Sequence, residues 1–190
     1  MKTEKRTPGD YVVSTWSGGK TTQIVIYPPQ SVYADRDFLF RISSATVETE
    51  HSDFTPLPAY DRVILTLQGN LALTHNGGTP ILLHPLHPHS FGGEEHTESD
   101  GKVTDFNLMT RKGAAEGKVE CLCRSVITAK EGFHLFYAAE NSVLSAEGKE
   151  YLLEKGESLY LTLTAGESAT VGVKGSVVYA AVKEIHKEVI

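Results

Sequence analysis

The chain has 190 residues, 40% of them hydrophobic and 22% charged, a composition that supports one large or two small globular units and not a disordered or fibrous chain. The formal net charge is -6 and no run of Lys and Arg is dense enough to follow a phosphate backbone, so nucleic acid is excluded as the expected partner. The segment from Met1 to Asp10 is charged and lacks the apolar core of a secretory signal, and no later segment reaches the length of a membrane span. A cytoplasmic protein with no membrane partner is therefore expected.

The first informative cluster is Trp16-Ser17-Gly18-Gly19-Lys20-Thr21-Thr22-Gln23-Ile24. Its two glycines would let backbone amides approach a ligand, and two hydroxyls and an amide follow them. The same residues also read as a tight turn feeding a strand, with Trp16 as a core plug. β-Branched and aromatic residues predict strands over Thr21–Tyr27 and Phe38–Val47. In the second of these Arg41, Ser43 and Ala45 share one face, opposite Phe40 and Ile42. A buried Arg needs either an acid, such as Asp105 or Asp61, or a ligand anion.

Strands follow at Arg62–Leu67, Asn70–His75 and Ile81–Leu83, with Gly69 turning the first into the second. The stretch Leu83-His84-Pro85-Leu86-His87-Pro88-His89 brings His87 and His89 to one face if extended. No carboxylate stands at a matching spacing, so it reads as a proline-punctuated solvated loop able to take up adventitious nickel. In Val103–Arg111, strand alternation sends Asp105, Asn107, Met109 and Arg111 one way and Phe106, Leu108 and Thr110 the other. One face is core; the other carries chemistry, as a ligand site or as the solvated side of an edge strand.

A break falls at Lys112-Gly113-Ala114-Ala115-Glu116-Gly117, and strands resume at Val119–Thr128, Phe133–Ala138, Tyr151–Leu153, Ser158–Leu163, Ala169–Val173 and Val177–Val182. Cys121 and Cys123 stand two apart on one face of such a strand and read as reduced structural thiols. No segment of ten residues keeps a 3.6-residue apolar period, so the chain is expected to be all-β.

The rhythm of Asp61–Gly93 returns in Phe133–Leu163, which is the pattern of a cupin jelly roll used twice. The expected fold is a bicupin, two jelly-roll barrels in one chain. Residues 1–113 would form an N-terminal barrel with the ligand pocket. Residues 114–190 would form a degenerate C-terminal barrel, too short to close alone and completed by exchanged N-terminal strands. A metal-binding cupin places a Glu seven residues before the turn Gly and two alternate His upstream. Here the count from Gly69 lands on Arg62, and Phe54-Thr55-Pro56-Leu57-Pro58 holds no His. A guanidinium repels a divalent cation and offers a planar fork to a carboxylate, so neither a metal nor another cofactor is expected.

Trp16-x-Gly-Gly-x-Thr21-Thr-Gln-Ile, Ile26-Tyr27-Pro28-Pro29, Phe40-Arg41-Ile42-Ser43, Pro58-x-x-Asp61-Arg62 and Asp105-Phe-Asn107-Leu-Met109-x-Arg111-x-Gly113 occur in an order and spacing that resembles the HutD/Ves family of bacterial cupin-like proteins. The resemblance covers the chain from Trp16 to about Val182, and beyond Gly113 it rests on strand rhythm alone. It implies a metal-free bicupin associated with histidine utilisation that senses or damps pathway flux by binding an intermediate. Carried over by matching position, the pocket would use Trp16, Thr21, Thr22, Arg41, Arg62, Asp105, Asn107 and Arg111. The chain departs from the pattern at Ala59, where Gly is usual, and at Thr22-Gln23, where many members carry Arg-Glu.

The leading expectation is a regulatory binding protein for a small carboxylate such as formylglutamate or formiminoglutamate. The alternative is a metal-independent isomerase or hydrolase of such a compound, with Asp105 as general base and Arg62 stabilising developing negative charge. A third reading is a bicupin whose polar face meets another protein, and a homodimer stays open. Ser43 and Thr21 have no adjacent His, so covalent catalysis has the least support.

Overall fold

The computed structural model describes residues 1–186, and they form an all-β protein whose only helical pieces among those residues are 3₁₀ turns at Pro8–Asp10 and Tyr33–Asp35. The strands are β1 (Lys2–Arg6), β2 (Val12–Trp16), β3 (Gly19–Tyr27), β4 (Phe40–Val47), β5 (His51–Asp53), β6 (Tyr60–Gln68), β7 (Leu71–His75), β8 (Ile81–Leu83), β9 (His89–Gly92), β10 (Thr97–Asp100) and β11 (Val103–Arg111). They continue with β12 (Ala115–Ala129), β13 (Gly132–Ala138), β14 (Ser142–Ala146), β15 (Lys149–Leu153), β16 (Ser158–Leu163) and β17 (Ala169–Glu184).

The chain divides into two compact units. One joins Met1–Tyr11 to Gly117–Glu184; the other holds Val12–Glu116 and, after β17, Ile185, whose amide donates to the Ala114 carbonyl at 2.8 Å. In the first unit β1-β16-β13-β17-β14-β15 lie side by side and β12 pairs with β17. Its core gathers Phe136, Leu144, Leu159, Leu161, Val171 and Val177, each fully or almost fully buried. In the second unit the order is β2-β3-β4-β11-β6-β9 in a six-stranded sheet and β5-β10-β7-β8 in a four-stranded one. Ile64, Phe91 and Val103 from the larger sheet pack against Leu71, Leu73 and Leu83 from the smaller, so the apolar faces of the two sheets meet.

Several strands escape the sequence signals for identifiable reasons. Lys2–Arg6 carries no apolar residue, yet it pairs with β16 along its length and sits at a sheet edge, where alternating charge suits a solvated strand. Lys5 reaches Glu157 at 2.8 Å from there. Val12–Trp16, His51–Asp53, His89–Gly92, Thr97–Asp100 and Ser142–Ala146 are also unpredicted strands of three to five residues. The two strands expected at Ala169–Val173 and Val177–Val182 are one, because β17 runs unbroken through Gly172 and Gly175. Gly69 is the turn residue between β6 and β7, at φ +84°, where a side chain would meet the Lys102 carbonyl at 2.7 Å.

Candidate functional site

Strand β11 lies between β4 and β6, and its register sets polar side chains in rows. Met109 is level with Arg41 on one side and Arg62 on the other; Asn107 is level with Ser43; Asp105 is level with Thr66. At about 3.4 Å per residue the cation row and the Asp105 row are roughly 14 Å apart along β11. The face built this way lines a cavity of about 350 Å³, to which Trp16, Thr21, Tyr33, Phe54 and Ser99 also contribute. That is the liquid volume of about a dozen waters, room for a small metabolite.

The electrostatics are unusual. Arg41, Arg62 and Asp105 are 5%, 4% and 5% exposed, and among the described residues no carboxylate lies within 4.0 Å of either guanidinium. Arg41 donates from Nε to Gln23 Oε1 at 2.8 Å and from Nη1 to Ser43 Oγ at 3.2 Å, and its plane stacks on Tyr33 with the guanidinium carbon 4.2 Å from the ring centre. Arg62 lies against two rings that pack edge to face on each other, 4.7 Å from Phe54 and 5.1 Å from Phe91. Burial lowers the pKa of both, that of Arg62 to about 10. Burial also raises the Asp105 carboxyl to about 6, against the lowering effects of the Ala45 amide and the two Arg charges. Asp105 Oδ1 accepts from the Ala45 N–H at 2.8 Å, and no residue described donates to its Oδ2. Arg62 Nε, Asn107 Oδ1 and Thr66 Oγ1 are buried with no hydrogen-bond partner among the described residues.

Of the expected ligand residues, Trp16, Thr21, Arg41, Arg62, Asp105 and Asn107 come together at this cavity. Thr22 does not line it, because alternation along β3 turns its side chain opposite to Thr21. Arg111 also stands apart. Its Nε donates to the Phe38 carbonyl at 3.0 Å, and its Nη2 to the Arg36 carbonyl at 2.7 Å and the Tyr60 hydroxyl at 2.9 Å. It fastens the chain before β4 instead of facing the cavity. Arg111→Ala is therefore expected to lower stability by roughly 2 kcal/mol or more while leaving ligand affinity within about twofold, measured by thermal melting and calorimetry. The glycines are structural too. A side chain on Gly18 would strike the Trp16 ring at 2.1 Å, and one on Gly19 the Thr46 carbonyl at 1.9 Å, so they permit close packing of the β2–β3 turn and do not cradle a ligand.

Tyr33, Phe54 and Thr55 were not anticipated as lining residues. Phe54 and Thr55 lie in the very segment where metal-binding histidines would have stood. Tyr33 comes from a connection with no strand pattern, so no sequence signal marks it. Among the described residues His51, Asp53 and Glu98 could converge on one ion, but His51 and Asp53 are exposed, and His51 Nδ1 already meets Asp100 Oδ1 at 2.9 Å. His84 and His87 are exposed, whereas His89 belongs to β9 and meets His75, Nε2 to Nε2, at 3.0 Å.

A family model described as HutD matches residues 9–179. HutD from Pseudomonas fluorescens SBW25 (formate condition) superposes with a TM-score of 0.83 at 22% identity, covering 97% of this chain and 100% of that one. A conserved protein of unknown function from Pseudomonas aeruginosa PAO1 gives 0.82 at 20% identity, covering 98% and 100%. A cupin 2 conserved barrel domain protein from Leptotrichia buccalis gives 0.58 at 11%, covering 92% of each chain, so the architecture is cupin-like. None of the curated proteins compared matches the sequence. With Arg62, Asp105 and Asn107 on a cupin-like framework and the family model spanning most of its length, the chain belongs to the HutD family.

Proposed function

We propose that this protein is a metal-free, small-molecule-binding bicupin of the cytoplasm that senses or regulates histidine utilisation by holding a small carboxylate. Formylglutamate and formiminoglutamate are the ligands of the expected kind. The observation that carries the reading is Arg62, a 4%-exposed guanidinium lining a cavity with Nε unpartnered and no carboxylate within reach. Leaving such a charge unpaired costs several kcal/mol, and a bound carboxylate offsets that cost with charge-assisted hydrogen bonds. Arg41 in the same row supplies the second cation, and Tyr33 and Phe54 lie against the two guanidinium groups.

Melting-temperature screening tests this reading. A ligand present at about one hundred times its Kd stabilises the native state by about 2.7 kcal/mol, so histidine-pathway carboxylates that bind will raise the melting temperature by several degrees. A panel containing urocanate, formylglutamate and formiminoglutamate that leaves the melting curve unmoved at millimolar concentration rejects the carboxylate assignment.

The second reading is enzymatic and is favoured by one observation: burial holds the Asp105 carboxyl near 6, inside the range of an effective general base. NMR of each stabilising ligand incubated with micromolar protein separates the two. Recovery of intact ligand supports a binding protein, whereas product formation abolished by Asp105→Asn supports the isomerase or hydrolase.

A further inference from the structure

Resting on the carboxylate reading above, we infer that the cavity is built for an amphoteric ligand, with a carboxylate at the Arg41–Arg62 row and a cationic N–H group, amidinium or ammonium, at Asp105. The inference comes from how charge is ordered along β11. The cations stand level with Met109, and the one buried anion stands four residues away at Asp105, both lining the same cavity. Asn107 lies between them with Oδ1 buried and unpartnered, and Asp105 keeps Oδ2 without a donor. An ionised carboxylate only accepts, so Asp105 Oδ2 asks for an N–H group, and a plain dicarboxylate would satisfy the Arg row while its other end is repelled.

The charge balance points the same way. The buried groups sum to +1, two Arg against one Asp, and a ligand of net charge -1 neutralises them. Two carboxylates with one amidinium have that charge; two carboxylates with a neutral amide carry -2 and place an uncompensated charge beside Asp105. The remaining charged or titratable groups lining this space are Tyr33, whose ring lies against Arg41, and Asp53, exposed on β5; Arg36 does not line it but lies over the same Tyr33 ring. None of them places a second buried anion by Asp105. Because burial holds that carboxyl near 6, Asp105 is an anion at pH 7.5 and neutral at pH 5, where the two Arg leave the buried groups at +2.

Calorimetry with three probes differing at a single group tests the assignment: formiminoglutamate, formylglutamate and glutarate. At pH 7.5 the amidinium compound should bind roughly ten- to a hundredfold more tightly than the other two, the size of one desolvated charge contact. Asp105→Asn, which takes the buried groups from +1 to +2, should remove that preference without lowering affinity for formylglutamate. The same collapse of selectivity should appear in the unaltered protein on going to pH 5, which keeps the test available if the variant fails to fold. Equal affinities for all three probes, unmoved by Asp105→Asn and by pH, overturn the amphoteric assignment but leave a carboxylate receptor standing. No binding of any probe overturns both.

Discussion

Arg62→Met is expected to make the ligand-free protein more stable and unable to bind carboxylates. Arg62 is 4% exposed, lies against Phe54 and Phe91, and has neither a partner at Nε nor a carboxylate within 4.0 Å among the described residues. Its pKa, lowered by burial to about 10, still leaves it protonated at neutral pH, so the fold carries a desolvated cation. A Met side chain fills similar volume, keeps contact with both rings and removes the charge. Apolar replacement of buried ionic groups stabilises by about 1–4 kcal/mol in comparable settings, which in a chain of this length raises the melting temperature by about 2–4 °C per kcal/mol. Arg62→Ala leaves a hole and gains less, but it should weaken carboxylate binding by roughly 2–5 kcal/mol. Differential scanning calorimetry and titration calorimetry read the two effects separately. A Met variant that melts lower and binds as before would make Arg62 a structural residue and remove the basis for a carboxylate site.

This opposition between stability and binding explains why the residues of the candidate site were legible in the sequence while much of its surroundings was not. Polar residues on the inner face of an otherwise apolar strand contradict the rule that built the strand, and Asp105, Asn107 and Arg41 stand out for that reason. Arg62 stands out because a counted position from Gly69 demanded a different residue. Arg111 follows the same alternation and misleads, because at the end of β11 the inward direction meets the carbonyls of Arg36 and Phe38 and not the cavity. Sequence spacing reports which face a residue is on, not how far along that face the cavity extends. Tyr33, Phe54 and Thr55 sit in segments before β4 and before β6, and their approach to the Arg row is tertiary. The all-β class was legible because β-branched runs dominate and no helical period competes. Strands such as β1 and β10 were not, since their pairing is decided by neighbours and their sequences, Lys-Thr-Glu-Lys-Arg and Thr-Glu-Ser-Asp, carry no apolar alternation.

Asp105→Asn should stabilise the ligand-free protein at pH 7.5 and lose that advantage on acidification. Burial raises the Asp105 carboxyl from the ordinary 3.8 to about 6, so between those values the native state holds a proton that the unfolded chain has released. Stability contributed by this group is therefore complete below about pH 4 and declines as pH rises to about 6, beyond which the fold bears the full cost of a buried carboxylate. That cost is of the order of 3 kcal/mol. Asn keeps the shape and still accepts the Ala45 N–H at the position of Oδ1, but carries no charge to desolvate. Its benefit is reduced where the carboxylate is attracted by Arg41 and Arg62, the two cations whose charges lower the Asp105 pKa. Chemical denaturation of both proteins from pH 4 to 8 gives the difference directly, with effects of other titrating groups cancelling between them. A gap that opens between pH 4 and 6 and then stays level identifies Asp105 as the group responsible. A variant less stable than the parent at pH 7.5 would mean that Asp105 is held as an ion by the Arg pair, and the site would then be a closed ion-pair network instead of a cavity awaiting a charged ligand.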